Sequence, residues 1–164
     1  MRKGFTLIEI LIVVLIFSII TAFSLSFIRV TDAAYARAEL EKLCACMLYL
    51  QARACSEQKQ KILTFNLKEQ SYTANTQHHK LPHMVQFGVQ SRVKGPPSDP
   101  THILGDPISF KDKQVIFYPD GTISAGTVYV TDCKHSCLYA LTSGISQVSY
   151  LRRYKYEKKW LSIQ

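Results

Sequence analysis

The sequence predicts an α+β fold in which a long N-terminal helix is followed by an antiparallel β-sheet. The first observation is an apolar run from Ile10 to Ile28 that continues, without proline or glycine, into a helical apolar stripe. The second is a change after Lys59 to short apolar segments separated by turn residues, as in strands joined by hairpins. With 164 residues, the chain has room for one such helix and one modest domain.

The apolar run predicts a transmembrane helix over residues 5–28. A helix needs about 20 apolar residues to cross a bilayer. Four hydroxyl residues interrupt the run and are tolerated because they can donate to the helix's own carbonyls: Ser18, Thr21, Ser24 and Ser26. Glu9 is the exception, since an ionised carboxylate near a bilayer centre costs about 2.5–3.5 kcal/mol. Its presence predicts a cationic partner.

The residues before and at the start of this run carry a family resemblance. The string Lys3-Gly-Phe-Thr-Leu-Ile-Glu9 resembles the N-terminal signal of type IV pilins and type II secretion pseudopilins. In that family a prepilin peptidase cuts after the glycine and methylates the new N-terminal amine. The resemblance implies a leader over residues 1–4, cleavage between Gly4 and Phe5, and methylation of Phe5. It also implies that Glu9 sets assembly register by reaching the amine of a neighbouring subunit.

The charges around the run predict its orientation. Arg2 and Lys3 precede it and favour a cytoplasmic N-terminus, which places everything after about residue 28 outside the cytoplasm. An ordinary secretory signal has a shorter apolar core, and a plain signal anchor leaves Gly4 and Glu9 unexplained. The net charge is +8, and a positive exported domain attracts anionic lipid, DNA or an acidic partner without selecting among them.

An amphipathic continuation of the helix is predicted over residues 29–59, ending near Ser56. Its apolar residues recur at alternating spacings of four and three: Ala36, Leu40, Leu43, Met47, Leu50 and Ala54. Charged residues fall largely off that stripe: Arg37, Glu39, Glu41, Lys42 and Arg53. The lower half of such a helix can pack on other subunits while the upper half carries a head. A helix covered only by its own domain is compatible with the same stripe.

Residues 60–164 predict a β-rich head of seven or eight antiparallel strands. The predicted strands cover residues 61–67, 71–74, 84–89, 114–118, 127–131, 138–142 and 145–150. A proline-rich loop separates the third from the fourth, and Asp120 and Asp132 are predicted turn residues.

Three segments of the head extend the resemblance. Residues 115–121, 126–130 and 138–148 resemble the C-terminal pattern of the GspH/FimT family, which contains H-type minor pseudopilins of type II secretion and FimT/FimU-type minor pilins. This implies a sandwich-like pilin head on a single-pass protein of the bacterial inner membrane, with the head periplasmic. The implied partners are other pseudopilins or pilins, prepilin peptidase, the inner-membrane assembly platform and membrane lipid. The basic, aromatic tail after Tyr150 does not fit the pattern.

Five cysteines offer candidate chemistry. Cys44, Cys46 and Cys55 lie on the predicted helix, where small apolar packing is their expected role. Cys133 and Cys137 flank a three-residue turn, and the sequence leaves open a disulfide between them in an oxidising compartment. Such a bond would close a very short loop and would mainly pin the turn.

No metal, cofactor or catalytic activity is predicted. His78, His79 and His83 are close enough in sequence to bind a metal, but adjacent histidines in a polar loop are usually solvated. A zinc site at His135 and its flanking cysteines lacks a visible fourth ligand. The sequence has no nucleophile elbow, phosphate-binding glycine loop or recognisable pair of carboxylates.

The tail supports two interpretations. It contains five cations interspersed with three aromatic residues: Arg152, Arg153, Lys155, Lys158 and Lys159, with Tyr154, Tyr156 and Trp160. Such a strip can neutralise phosphates with its cations and stack its aromatic rings on bases. That interpretation makes the chain a DNA-binding minor pilin of a type IV pilus or competence system. We favour a final strand pair with exposed basic residues and with Trp160 and Leu161 in the core. The expected function is then a minor pseudopilin of the type II secretion pseudopilus.

Overall fold

The computed structural model describes residues 7–95, 101, 103–144 and 150–163, except for the side chains of 23–31. A long helix, α1 (Leu7–Glu57), precedes a β-rich head, so the α+β fold of helix followed by antiparallel sheet is confirmed. The described strands are β1 (Lys61–Asn66), β2 (Ser71–Ala74), β3 (Gln77–Lys80), β4 (Val85–Phe87), β5 (Gln114–Phe117), β6 (Gly126–Asp132), β7 (Leu138–Ser143), β8 (Leu151–Glu157) and β9 (Lys159–Ile163).

The strands form two antiparallel sheets, ordered β3-β2-β1-β5 and β4-β6-β7-β8-β9. The prediction of a polar loop at His78 and His79 is wrong, because both residues lie in β3, which pairs with β2. Among the described strands β3 is an edge strand of its sheet, and edge strands commonly carry polar side chains. Residues 145–149 of the last predicted strand lie outside the described residues.

The apolar stripe of α1 joins the helix to the head. All six predicted members are at most 1% exposed: Ala36, Leu40, Leu43, Met47, Leu50 and Ala54. They share one core cluster with residues of both sheets, including Leu63 of β1 and Val128 of β6. Burying a leucine side chain is worth about 1.5–3 kcal/mol. The stripe therefore holds the head firmly on the C-terminal part of α1.

Glu39 was predicted to fall largely off the apolar stripe, yet it is buried, with 3% of its side chain accessible. Lys42 Nζ lies 2.6 Å from Oε1 of this carboxylate, and His79 Nε2 lies 3.2 Å from Oε2. A carboxylate can be removed from water at this position because it has these two nitrogen partners.

The N-terminal part of α1 exposes its apolar side chains from Leu7 to Ile20. The hydroxyls of Ser18 and Thr21 donate to backbone carbonyls one turn earlier, as predicted. Among the side chains that the structure describes, no helical stretch has the length and hydropathy of a membrane-crossing segment. Residues 5, 6 and 23–28 of the predicted span lie outside those side chains.

Two contacts mark the ends of the head along α1. At one end, Lys134 Nζ lies 2.7 Å from Asp32 Oδ2. At the other, the amide of Gln51 donates to the carbonyl oxygen of Gly121 at 2.7 Å. The two helix positions are about 28 Å apart along the axis at 1.5 Å per residue. We call the end at Asp32 the proximal end, because it faces the N-terminal part of α1.

Candidate functional site

The N-terminal site is described only from Leu7 onward. Gly4 and Phe5 lie outside the described residues, so cleavage and methylation there stay predictions. Glu9 lies in the first turn of α1 and is exposed at the surface of the isolated chain. The unbonded amides of a first helical turn favour a negative group at this place.

A continuous apolar surface surrounds and follows Glu9. Every large hydrophobic side chain from Leu7 to Ile20 is at least 49% exposed, on all sides of the helix. A monomeric soluble protein rarely exposes an apolar patch larger than a few hundred Å². This part of α1 therefore requires a cover of apolar material, either lipid or other helices.

The turn between β6 and β7 is built around Asp132, which is 1% exposed. Its carboxylate accepts hydrogen bonds from the backbone N–H groups of Ser136, at 2.7 Å, and Cys137, at 3.0 Å. It also accepts one from the Ser136 hydroxyl at 2.7 Å. Burial alone would raise the pKa of Asp132, but these hydrogen bonds outweigh burial and lower the pKa below its ordinary value. The predicted turn role of Asp132 agrees with this geometry.

The two cysteines of this turn are both free thiols in the structure, without the disulfide that the sequence left open. Cys133 is exposed, and its Sγ donates to the backbone carbonyl of His83 at 2.9 Å. Cys137 is buried beside Asp132, and burial raises the pKa of its thiol to about 12. A thiol with so high a pKa is almost entirely protonated at neutral pH and is a poor nucleophile.

The helix cysteines are also free thiols. Cys44 belongs to the main core cluster, and Cys46 packs against its edge. Burial raises the pKa of both thiols. Packing is therefore the role that the surroundings of Cys44 and Cys46 support.

The basic tail is divided between two faces of its sheet. Arg153 and Lys155 alternate with Tyr154 along β8, so successive side chains point to opposite faces. On the face toward α1, Arg153 forms an ion pair with Glu41, and Lys155 forms one with Glu157. The predicted strip therefore does not form one surface.

The outer face of the same hairpin carries the aromatic residues. The ring centroid of Trp160 lies 5.2 Å from that of Tyr156 and 5.9 Å from that of Tyr129. The indole N–H donates to the carbonyl oxygen of Lys94 at 3.1 Å. The placement of Leu161 in the core is wrong, because this side chain is 38% exposed, and Ile163 packs against the main core instead.

The histidines lie in separate environments. His78 Nδ1 is 3.2 Å from the Thr73 hydroxyl, whereas His79 contacts Glu39 from the other face of β3. Among the described residues, no cluster of three or more histidine, cysteine or acidic side chains has a metal-binding arrangement.

Comparison with known proteins identifies the N-terminus. The family profile "Prokaryotic N-terminal methylation motif" matches residues 1–25. No curated protein and no solved structure matches the chain. The motif is the type IV pilin-like prepilin signal, and it points to a type IV pilin-like protein of a pilus or pseudopilus. It suggests membrane anchoring, processing by prepilin peptidase and filament assembly with other pilins.

Proposed function

We propose that this chain is a non-enzymatic minor pseudopilin of the GspH/FimT type, a structural subunit of a type II secretion pseudopilus. The observation that carries the proposal is the methylation motif at residues 1–25, which leads into the exposed apolar end of a 51-residue helix. An apolar helix end needs a cover, and the bilayer and the packed helices of a filament each provide one.

The N-terminus would act after processing. Prepilin peptidase cuts between Gly4 and Phe5 and methylates the amine of Phe5, and the helix stays in the inner membrane over residues 5–28. Glu9 of one subunit then contacts the amine of a neighbour. A carboxylate in a low-dielectric environment loses much stability without a cation, so only the helix register that pairs the two charges is favoured.

The head would serve as a contact surface at the filament tip, on the periplasmic side. Its attachment supports this role, because the buried stripe of α1 fixes the head to the helix. A movement of the helix in the assembly platform is then transmitted to the head. Contacts with other tip subunits or with secreted cargo follow from such a position.

The DNA-binding minor pilin is the weaker candidate. Arg153 and Lys155 already form ion pairs with carboxylates and lie away from the aromatic face. Salt-dependent retention of DNA by the protein, lost on replacing Arg152, Arg153 and Lys155 with glutamine, would favour this candidate. Absence of retention at low salt would remove it.

The proposed function is tested by Glu9→Leu in the native filament system. We expect the variant to reach the membrane fraction but not the sheared or crosslinked filament, because the register-setting charge is gone. Glu69→Leu, at an exposed turn of the head, removes an equal charge and should assemble like the wild type. Wild-type incorporation of Glu9→Leu would contradict the proposal.

A further inference from the structure

The two turns at the proximal end of the head lie side by side. In the β6–β7 pair Thr131 is opposite Leu138, and in the β7–β8 pair Tyr139 is opposite Lys155. Glu157, at the end of β8, therefore lies level with the beginning of β7. The β8–β9 turn at Lys158 consequently lies beside the β6–β7 turn.

This end of the head is close to the end of the apolar run. Lys134 of the β6–β7 turn contacts Asp32 of α1 at 2.7 Å. Asp32 follows Ile28, the last residue of the run, by four residues, and α1 is helical throughout that interval. Four residues correspond to about 6 Å along the axis. In an anchored chain the proximal end would face the lipid headgroups.

The charges at this end do not cancel. Lys134 is paired with Asp32, and Lys155 is paired with Glu157. Lys158 and Lys159 are both exposed, and neither forms an ion pair with another described residue. Lys94 is also exposed, and its backbone carbonyl accepts the hydrogen bond from the Trp160 indole N–H. The Asp132 carboxylate of the β6–β7 turn is buried and bonded within its own turn. The exposed Lys94, Lys158 and Lys159 therefore give the surface of the proximal end a positive charge.

We propose that Lys158 and Lys159 bind the headgroups of anionic phospholipids and so dock the head on the membrane. The proposal rests on the proposed membrane anchoring and adds a lipid class and a binding surface. A lysine close to an anionic membrane surface contributes about fivefold to the binding equilibrium, and the attraction falls off within a Debye length. The position of these two lysines near the end of the apolar run favours lipid over a nucleic acid, because a nucleic acid would have to reach the turn from the side that faces the bilayer.

The test uses the full-length chain in nanodiscs made of phosphatidylcholine alone or mixed with phosphatidylglycerol. Trp160 is the single tryptophan of the chain and adjoins Lys159 in sequence. Energy transfer from Trp160 to dansyl-labelled headgroups therefore reports how closely this end approaches the lipid. We expect more transfer with phosphatidylglycerol, and a decrease as salt is raised.

Paired substitutions distinguish binding at this surface from an effect of the protein's net charge. Lys158→Gln with Lys159→Gln should lower the ratio of docked to undocked heads by about fivefold for each lysine. The corresponding pair of arginine substitutions should preserve docking. Lys59→Gln with Lys111→Gln removes two exposed lysines elsewhere on the head and should leave the transfer unchanged.

The outcomes distinguish this proposal from the anchoring on which it rests. A wild-type chain that enters both nanodiscs but gives equal transfer in each overturns the lipid-binding proposal alone. A chain that enters neither nanodisc contradicts the anchoring and, with it, this inference. If the glutamine pair leaves the transfer unchanged but abolishes salt-dependent DNA retention, the lysines belong to a nucleic-acid surface and the proposal is overturned.

Discussion

Replacement of Asp132 by alanine should destabilise the head more than any change at an exposed carboxylate. The buried carboxylate accepts hydrogen bonds from the backbone N–H groups of Ser136 and Cys137 and from the Ser136 hydroxyl. Alanine leaves these donors without their acceptor. Asparagine keeps one side-chain oxygen and the volume of the side chain, so its effect should be smaller.

The expected magnitude follows from the surroundings of each donor. A hydrogen bond to a charged group is worth about 1.5–3 kcal/mol. Ser136 is exposed, so water can replace much of what it loses, whereas Cys137 is buried and water cannot reach its N–H as readily. We therefore expect Asp132→Ala to lower the free energy of unfolding by about 2–4 kcal/mol, and Asp132→Asn by about half as much.

The assay is urea denaturation of the full-length protein in detergent, with unfolding monitored by circular dichroism. Asp106→Ala is the control, because Asp106 is 78% exposed and its ion pair with Lys113 at 3.6 Å should contribute at most about 1 kcal/mol. A loss below about 0.5 kcal/mol for Asp132→Ala, within the usual range of surface changes, would refute this account of the turn.

The same contact has a pH dependence of defined sign. Because the pKa of Asp132 is lower in the folded state than its ordinary value, its stabilisation is present above that ordinary value. It is lost as the pH falls through the folded pKa. The stability difference between the wild type and Asp132→Asn should therefore shrink below about pH 4.

Three further outcomes are expected. Leu40→Ala should cost about 2–5 kcal/mol of unfolding free energy because Leu40 is fully buried, whereas Leu48→Ala, at a side chain that is 50% exposed, should cost little; equal losses in denaturation would contradict the core assignment. Gly126→Ala should cost about 1–3 kcal/mol, because its Cβ would overlap the Phe110 ring, and an unchanged melting temperature would show that the ring moves freely. A bulkier residue at Gly4 should leave the leader attached, and a mass shift showing normal cleavage would argue against prepilin processing.

The helix was predictable because its signals are local. The apolar stripe repeats within single turns, so Leu40 and Met47 could be assigned to the core from spacing alone. Glu39 could not be assigned to the interior in this way, since the spacing of apolar residues gives no reason to bury a charged side chain. Its burial depends on His79, which is 40 residues away in sequence and reaches it only after β3 has paired with β2.

The tail shows the limit of periodicity. Alternation correctly indicates that neighbours such as Arg153 and Tyr154 face opposite ways. The face that meets α1 is set by pairing with β7, and the Arg153–Glu41 ion pair joins residues 112 positions apart. The two contacts that mark the ends of the head, including Lys134 with Asp32, are equally non-local. No pattern of residues close together in the sequence predicts these contacts.

The N-terminal site shows the opposite case. The methylation motif is contained within residues 1–25 and was recognisable from the residue types at Gly4, Phe5 and Glu9. The partner proposed for Glu9 is the amine of another subunit, and the sequence motif marks only this chain's side of that contact.

The central claim is that the chain is trimmed at Gly4 and anchored in a membrane by the helix that follows. Intact-mass and N-terminal peptide analysis of native protein extracted from membranes tests it most directly. We predict a chain that begins with N-methylated Phe5 and is recovered in the membrane fraction. An intact Met1 terminus, or full recovery in the cytosol, would contradict the claim.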